Sequence, residues 1–341
     1  MFGLVRKALF QLPAEKAHEL ALEGLARGHA LGVGRRLYPR VKAPVTVMGL
    51  EFPNAVGLAA GLDKNGDYID ALGDLGFGFI EVGTVTPRPQ PGNPKPRIFR
   101  VESAGAIINR LGFNNKGVDH LVSQVSRRTY DGILGINIGK NFDTPNEKAV
   151  DDYLACFEKV YAHADYITVN ISSPNTRGLR DLQGEEALNR LLRALSNRRR
   201  DLADDVGRRV PIAVKVAPDL DSEAITAIAA AVSRHRMDAV IATNTTISRD
   251  GVQGLPNAEE TGGLSGRPLL EASTKVLASL RAVLPDDIAL IGVGGVASGA
   301  DAARKVDAGA DLVQVYTGFV HQGPALIADA ARAVAGKTAG A

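Results

Sequence analysis

The stretch PIAVKVAPDLDSEAITAIAAAVSRHRMDAVIATNT, residues 211–245, holds the unit from which the fold is read. Two apolar runs of strand length, PIAVKVA (211–217) and AVIATNT (239–245), bracket a helical pattern from Ser222 to His235. Near-continuous hydrophobicity in runs this short marks parallel strands covered on both faces. Parallel neighbours need a long crossover, which the helix between them provides. The same kind of run recurs outward in both directions: VGLAAGL (56–62), FIEVGTV (79–85), ILGINIG (133–139) and YITVNIS (166–172) before it, ALIGVGG (289–295) and LVQVYTG (312–318) after it. Helical patterns at Leu269 to Val283 and Ala300 to Ala308 fill later gaps.

Eight strands alternating with helices predict an α/β chain folded as a (β/α)8 TIM barrel. Lys64, Thr84, Asn137, Asn170, Lys215, Asn244 and Tyr316 all fall at or just past a strand's C-terminal end, and a barrel converges those ends on one mouth. A doubly wound dinucleotide-binding sheet is the competing architecture, because Gly292-Val-Gly294-Gly295-Val-Ala297 matches G-x-G-x-x-A. The next strand, however, ends in Tyr316 and Thr317 and not in the acid that would hold a ribose. Gly139-Lys140 is not a P-loop, since the first glycine is missing and Asn141 follows the lysine. Outside the repeat, residues 1–40 carry two amphipathic helical patterns, the second opening at Pro13. Residues 44–54 read as a hairpin turning at Gly49 and plugging the barrel floor. The expected division is a helical extension over 1–40, a barrel over 41–336 and a frayed tail over 337–341. A long loop from Pro87, through IFRVE and AGAIINRLGF, is placed to cover the mouth.

Composition narrows the function. A net charge of +2 gives no nucleic-acid footprint, and Arg198, Arg199 and Arg200 read as a solvated helix end before Asp201. The single cysteine, Cys156, excludes an internal disulfide and a cysteine-rich metal site; it reads as buried packing. With no H-E-x-x-H among six histidines, no metal is expected. No apolar run is long enough to span a bilayer, and a signal peptide's apolar stretch and cleavage site are missing, so the expected location is the cytoplasm.

The glycine-rich turns Gly294-Gly295 and Tyr316-Thr317-Gly318 end the seventh and eighth strands, where barrels commonly hold a phosphate; otherwise they merely allow tight turns. Lys215 lies inside the apolar strand AVKVA, where an uncompensated ammonium is costly. Its partner is either an anion such as a reduced flavin or an internal acid, Glu81 being the candidate. Lys64 is similar, with Asp63 beside it. Asn109, Asn114, Asn137, Asn170, Asn175 and Asn244 offer an array of donors and acceptors suited to a ring with alternating C=O and N–H groups, such as a pyrimidine. The glycosylation sequon at Asn170-Ile-Ser172 sits at a strand end inside a barrel and is accidental.

AGLDKNG, GTVTPRPQPGNPKPR, NRLGFNN, GINIGKN, VNISSPNT, KVAPD, TNTT, TGGLSG, GVGG and VYTG together resemble the dihydroorotate dehydrogenases, from about residue 3 to about residue 334. The N-terminal helical extension, and Ser173 where the soluble class has cysteine, make the chain similar to the quinone-dependent class. The resemblance implies FMN contacts from Ala59, Ala60, Gly61, Lys64, Thr84, Asn137, Asn170, Lys215, Thr243, Gly266, Gly295, Tyr316 and Thr317. It implies that dihydroorotate or orotate is held by Lys64, Asn109, Arg110, Leu111, Gly112, Phe113, Asn170, Asn175, Asn244 and Thr245. Ser173 is then the catalytic base at C5, with Thr176 as a candidate relay, and hydride leaves C6 for the flavin. Electrons pass on to a membrane quinone, ubiquinone or menaquinone, in pyrimidine biosynthesis.

Residues 1–40 set seven basic residues, Arg6, Lys7, Lys16, Arg27, Arg35, Arg36 and Arg40, against three acidic ones, a net of +4 in a chain of +2. Ala14, His18, Ala21, Leu22 and Leu25 share one helical face. The expectation is a lid on an anionic membrane surface, peripheral on the cytoplasmic face of the inner membrane, with His18 donating to a quinone oxygen.

Overall fold

A computed structural model of the chain describes residues 2–38 and 40–337. It opens with helices α1 (Phe2–Phe10), α2 (Ala14–Ala30) and the single turn α3 (Gly34–Leu37). The expected hairpin follows as β1 (Val45–Val47) and β2 (Leu50–Phe52), turning through Met48 and Gly49, both at positive φ. Val45, Val47 and Phe52 are buried, and the Phe52 ring meets Phe79 edge-on at 5.2 Å at the start of a barrel strand, so the hairpin closes the floor.

The barrel strands are β3 (Val56–Leu58), β4 (Phe79–Val85), β7 (Ile133–Ile138), β8 (Tyr166–Asn170), β9 (Ile212–Val216), β10 (Ala239–Ala242), β12 (Ala289–Val293) and β13 (Leu312–Val315). They close in that order, with β13 pairing back onto β3 and every neighbour parallel. All eight fall inside the runs expected from the sequence. Helices such as Ala149–Val160, Ser222–Arg234 and Leu270–Arg281 cross between them. Asp221 and Ser298 cap two of these helices by accepting from Ala224 N–H and Asp301 N–H. Strand side chains such as Ile80, Ile136, Val214 and Leu290 are fully buried, each contributing roughly 1.5–3 kcal/mol. Inside, large side chains sit over glycines: a methyl on Gly135 would lie 2.2 Å from the Tyr166 ring.

Two expectations need correction. The long loop is not irregular throughout: β5 (Ile98–Val101) and β6 (Ala106–Asn109) form a hairpin within it. Strand β11 (Gly263–Gly266), from the excursion after β10, pairs with β6 to complete a three-stranded sheet. Its strands alternate too weakly and too briefly to stand out beside the barrel strands. The arginine run is not a solvated helix end either. Its helix continues to Val206, and Arg199 is buried, donating to Asp238 Oδ2 at 2.6 Å and Arg236 O at 2.6 Å. Cys156 is buried as expected. Of the expected tail, Lys337 pairs with Asp307 at 2.6 Å, and 338–341 lie outside the described residues.

Candidate active site

The strand ends and the extension enclose one cavity of about 540 Å³. Its lining includes Lys64, Thr84, Asn170, Ser173, Lys215 and Asn244 from the barrel mouth, and Ala14, His18, Ala21, Leu22 and Leu25 from α2. Ala59, Ala60, Gly61, Thr243, Gly266, Gly295, Tyr316 and Thr317 line it as well, as do Asn109, Leu111, Gly112, Phe113, Asn175 and Thr245. Three residues expected as cofactor or substrate contacts, or as part of the asparagine array, do not. Asn137 is fully buried. Arg110 turns away, its Nη1 2.6 Å from Glu260 Oε2 and its guanidinium 4.4 Å from the Phe99 ring centre. Asn114 keeps a buried Oδ1 without a partner, outside the lining.

The amides are tied into a chain. Register places Asn170 beside Lys215 across β8 and β9. Asn170 Nδ2 donates to Thr84 Oγ1 at 2.9 Å, and that hydroxyl donates to Asn137 Oδ1 at 2.6 Å. Asn137 Nδ2 donates to Glu81 Oε1 at 2.8 Å. Glu81, wholly buried, also accepts from Tyr166 OH at 2.9 Å and Gln314 Nε2 at 2.8 Å. A carboxylate so engaged is fixed in place, and it orients the mouth from below. Toward the opening, Ser172 Oγ donates to Asn170 Oδ1 at 3.0 Å, and Asn244 Nδ2 donates to Ser172 Oγ at 3.0 Å. Asn175 Nδ2 donates to Asn109 Oδ1 at 3.2 Å.

Lys215 is buried, and among the described residues its ammonium has no hydrogen-bond or ion-pair partner. Burial lowers its pKa, and Glu81 opposes that only at a distance. Among the described residues the internal ion pair with Glu81 is therefore not formed. Asp63 does not pair with Lys64 either: it accepts the N–H groups of Asn65, Asp67 and Tyr68, while Lys64 Nζ donates to Gly61 O at 2.8 Å. Burial pushes the Lys64 ammonium down to about 8. Ser173 is buried against the cavity, and its Oγ accepts from Asn175 N–H at 3.3 Å. Thr176 Oγ1 is buried without a partner and makes no bond to Ser173. Burial also holds His18 down at about 4.

The cavity, the unpartnered lysine and the amide array match the resemblance drawn from the motifs, and a family model described as dihydroorotate dehydrogenase matches residues 42–335. This chain belongs to the dihydroorotate dehydrogenase family. A Pseudomonas paraeruginosa protein named dihydroorotate dehydrogenase (quinone) is 59% identical over 98% of both chains. A Thiobacillus denitrificans protein of the same name is 61% identical over 96% of this chain and 97% of its own. Among solved structures, DHODH from Eimeria tenella in complex with ferulenol superposes with a TM-score of 0.86 at 37% identity, covering 94% of this chain and 90% of that one. Dihydroorotate dehydrogenases are flavin-dependent, which suits an apolar cavity with a buried cation in its wall.

Sequence reasoning missed Ser172, which links two amides, and Gln314, which holds Glu81. A glutamine inside the apolar run LVQVYTG was the available signal for Gln314. It also missed Arg97, whose buried guanidinium reaches Glu15 of α2 at 2.6 Å and Pro91 O at 2.6 Å. An arginine in a proline-rich loop carries no such signal.

Proposed function

We propose that this chain oxidises (S)-dihydroorotate to orotate with FMN as cofactor and passes the electrons to a membrane quinone, in pyrimidine biosynthesis. The observation that carries this reading is the single cavity lined both by Ser173 and Lys215 and by His18 of the extension. Two features support FMN in particular. Lys215 offers an uncompensated buried cation. At the Gly294–Gly295 turn, which lines the cavity, a methyl on Gly295 would lie 2.3 Å from Leu270 Cα, so the turn needs glycine to pack on the start of helix Leu270–Arg281, and its backbone is available to a phosphate.

FMN bound here supplies the acceptor for the hydride from C6. Ala59, Ala60, Gly61, Thr84, Thr243 and Tyr316 form the walls against it, with Gly266, Gly295 and Thr317 at the phosphate corner. Lys215 would supply buried positive charge beside the flavin, which favours an anionic reduced form. Asn137 acts from beneath, through Thr84. Ser173 Oγ takes the C5 proton as its own hydroxyl proton passes to solvent, and the Asn175 N–H at 3.3 Å orients that oxygen and stabilises alkoxide character on it. Asn109, Asn170, Asn175, Asn244 and Thr245 hold the substrate ring, while Leu111, Gly112 and Phe113 pack over it. Lys64 meets the substrate carboxylate. Arg110 serves the covering loop through Glu260 rather than the substrate.

His18, neutral at pH 7, donates to the oxygen of ubiquinone or menaquinone in the passage along Ala14, Ala21, Leu22 and Leu25. Of eleven exposed large hydrophobic side chains among the described residues, seven lie in residues 1–40: Leu4, Val5, Leu12, Leu20, Leu31, Val33 and Leu37. With the net +4 of this segment they make a surface for anionic lipid, holding the chain peripherally on the cytoplasmic face of the inner membrane. No described helix is long and apolar enough to cross a membrane.

The test is direct: the purified protein is yellow, releases one FMN per chain and is bleached by dihydroorotate. Lys215→Ala weakens FMN retention. A colourless protein that does not take up FMN overturns the reading.

A further inference from the structure

Lys305, on the helix Gly299–Asp307, is fully buried, behind the turn assigned above to the phosphate. Its stem runs along β12: a methyl on Gly292 would lie 3.1 Å from Lys305 Cβ and 3.4 Å from Cδ. Its Nζ donates to Ser273 Oγ at 2.6 Å and has no other partner among the described residues. Ser273 Oγ in turn donates to Leu269 O at 2.7 Å and lies 3.0 Å from Gly294 O. The ammonium is therefore one hydroxyl away from the glycine turn in the cavity wall. The charged groups around it are Arg304, Asp301 and Glu271. All three are occupied elsewhere: Glu271 pairs with Arg304 at 2.7 Å, and Asp301 accepts from Ser298 Oγ at 2.8 Å and Ala297 N–H at 3.0 Å. Burial pushes the amine down to about 7. A buried ammonium with one neutral partner is costly, and an apolar side chain of equal length would be cheaper.

We infer that Lys305 is a positioning residue for the cofactor phosphate: through Ser273 it fixes the Gly294–Gly295 turn, and it supplies buried positive charge to the phosphate held there. This rests on the FMN reading, and the phosphate offers a way to separate the two. The turn's geometry and its field favour a dianion and do nothing for a flavin without one. Loss of Lys305 therefore acts on the phosphate's share of binding and leaves the ring's share intact.

The experiment titrates the flavin-free full-length protein with FMN and with riboflavin, which lacks the phosphate, and follows flavin fluorescence. The wild type should prefer FMN strongly. Lys305→Met should cut that preference by about tenfold or more, with riboflavin affinity unchanged and the melting temperature of the flavin-free protein no lower than wild type. Ser273→Ala, which keeps the lysine but removes its link, should shift the preference the same way by less, and it carries the test if Lys305→Met does not fold. Equal loss for both flavins, or an unchanged preference in the variants, overturns the inference. A wild type that binds the two flavins equally overturns the phosphate corner itself.

Discussion

The barrel and the N-terminal extension are built on different principles. Barrel strands are buried along nearly their whole length, and a chain of their polar residues is locked together from Glu81 through Asn137, Thr84 and Asn170 to Asn244. Helix α1 has no buried residue, and α2 has only Ala17 and Leu22. The extension is held instead by polar ties: Glu15 to Arg97, Arg100 to Phe10 O at 3.0 Å, Arg6 to His321 O at 2.7 Å and His29 to Asp74 at 2.8 Å. A region with so little buried apolar surface, and so much exposed, is tied to the barrel mainly at its polar contacts and leaves an apolar face open. On the proposed function, the difference would separate two half-reactions, with barrel residues governing flavin reduction and extension residues governing delivery to quinone.

The largest effect expected lies wholly on the barrel side. Ser173→Ala should slow bleaching of the flavin by dihydroorotate by roughly 10²–10⁴, with FMN content and orotate binding retained, as read by rapid mixing. A wild-type rate assigns the base to another group. An intermediate effect sits at the junction. Glu15→Gln removes the charged partner of Arg97, a contact worth roughly 1.5–3 kcal/mol, so turnover with quinone should fall several-fold while flavin reduction by dihydroorotate stays at the wild-type rate. If both half-reactions slow together, the two regions are not separable. The smallest effect is on pH. Lys64 is cationic below about 8 and loses its charge above it, so orotate affinity should weaken a few-fold as pH rises through 8, measured by flavin difference spectra. Affinity that stays flat to pH 10 removes Lys64 from carboxylate binding.

The same contrast decides what the sequence made legible. The eight strands were readable because each is a short run of buried apolar residues closed by a polar residue or glycine, as in PIAVKVA and ALIGVGG. The polar strand ends were readable because a barrel puts them at one mouth. What escaped is what depends on distant pairing. The sheet of β5, β6 and β11 joins segments about 150 residues apart through backbone bonds, which leave no mark on composition. Arg199 looked solvated because its partner, Asp238, lies 39 positions away. Asn137 ended at the right strand end, but its amide is taken up by Thr84 and Glu81 inside the barrel and does not line the cavity.

On this division of labour the barrel alone performs flavin reduction and the extension alone admits quinone. That division is tested most directly by deleting residues 1–40 and measuring the two half-reactions side by side, with liposome binding as a third reading. The truncated protein should keep its FMN, be bleached by dihydroorotate in a single turnover at the full-length rate, fail to bind anionic liposomes and fail to reduce a long-chain quinone. Full-length turnover with a long-chain quinone after the deletion would contradict it and leave the extension as packing alone.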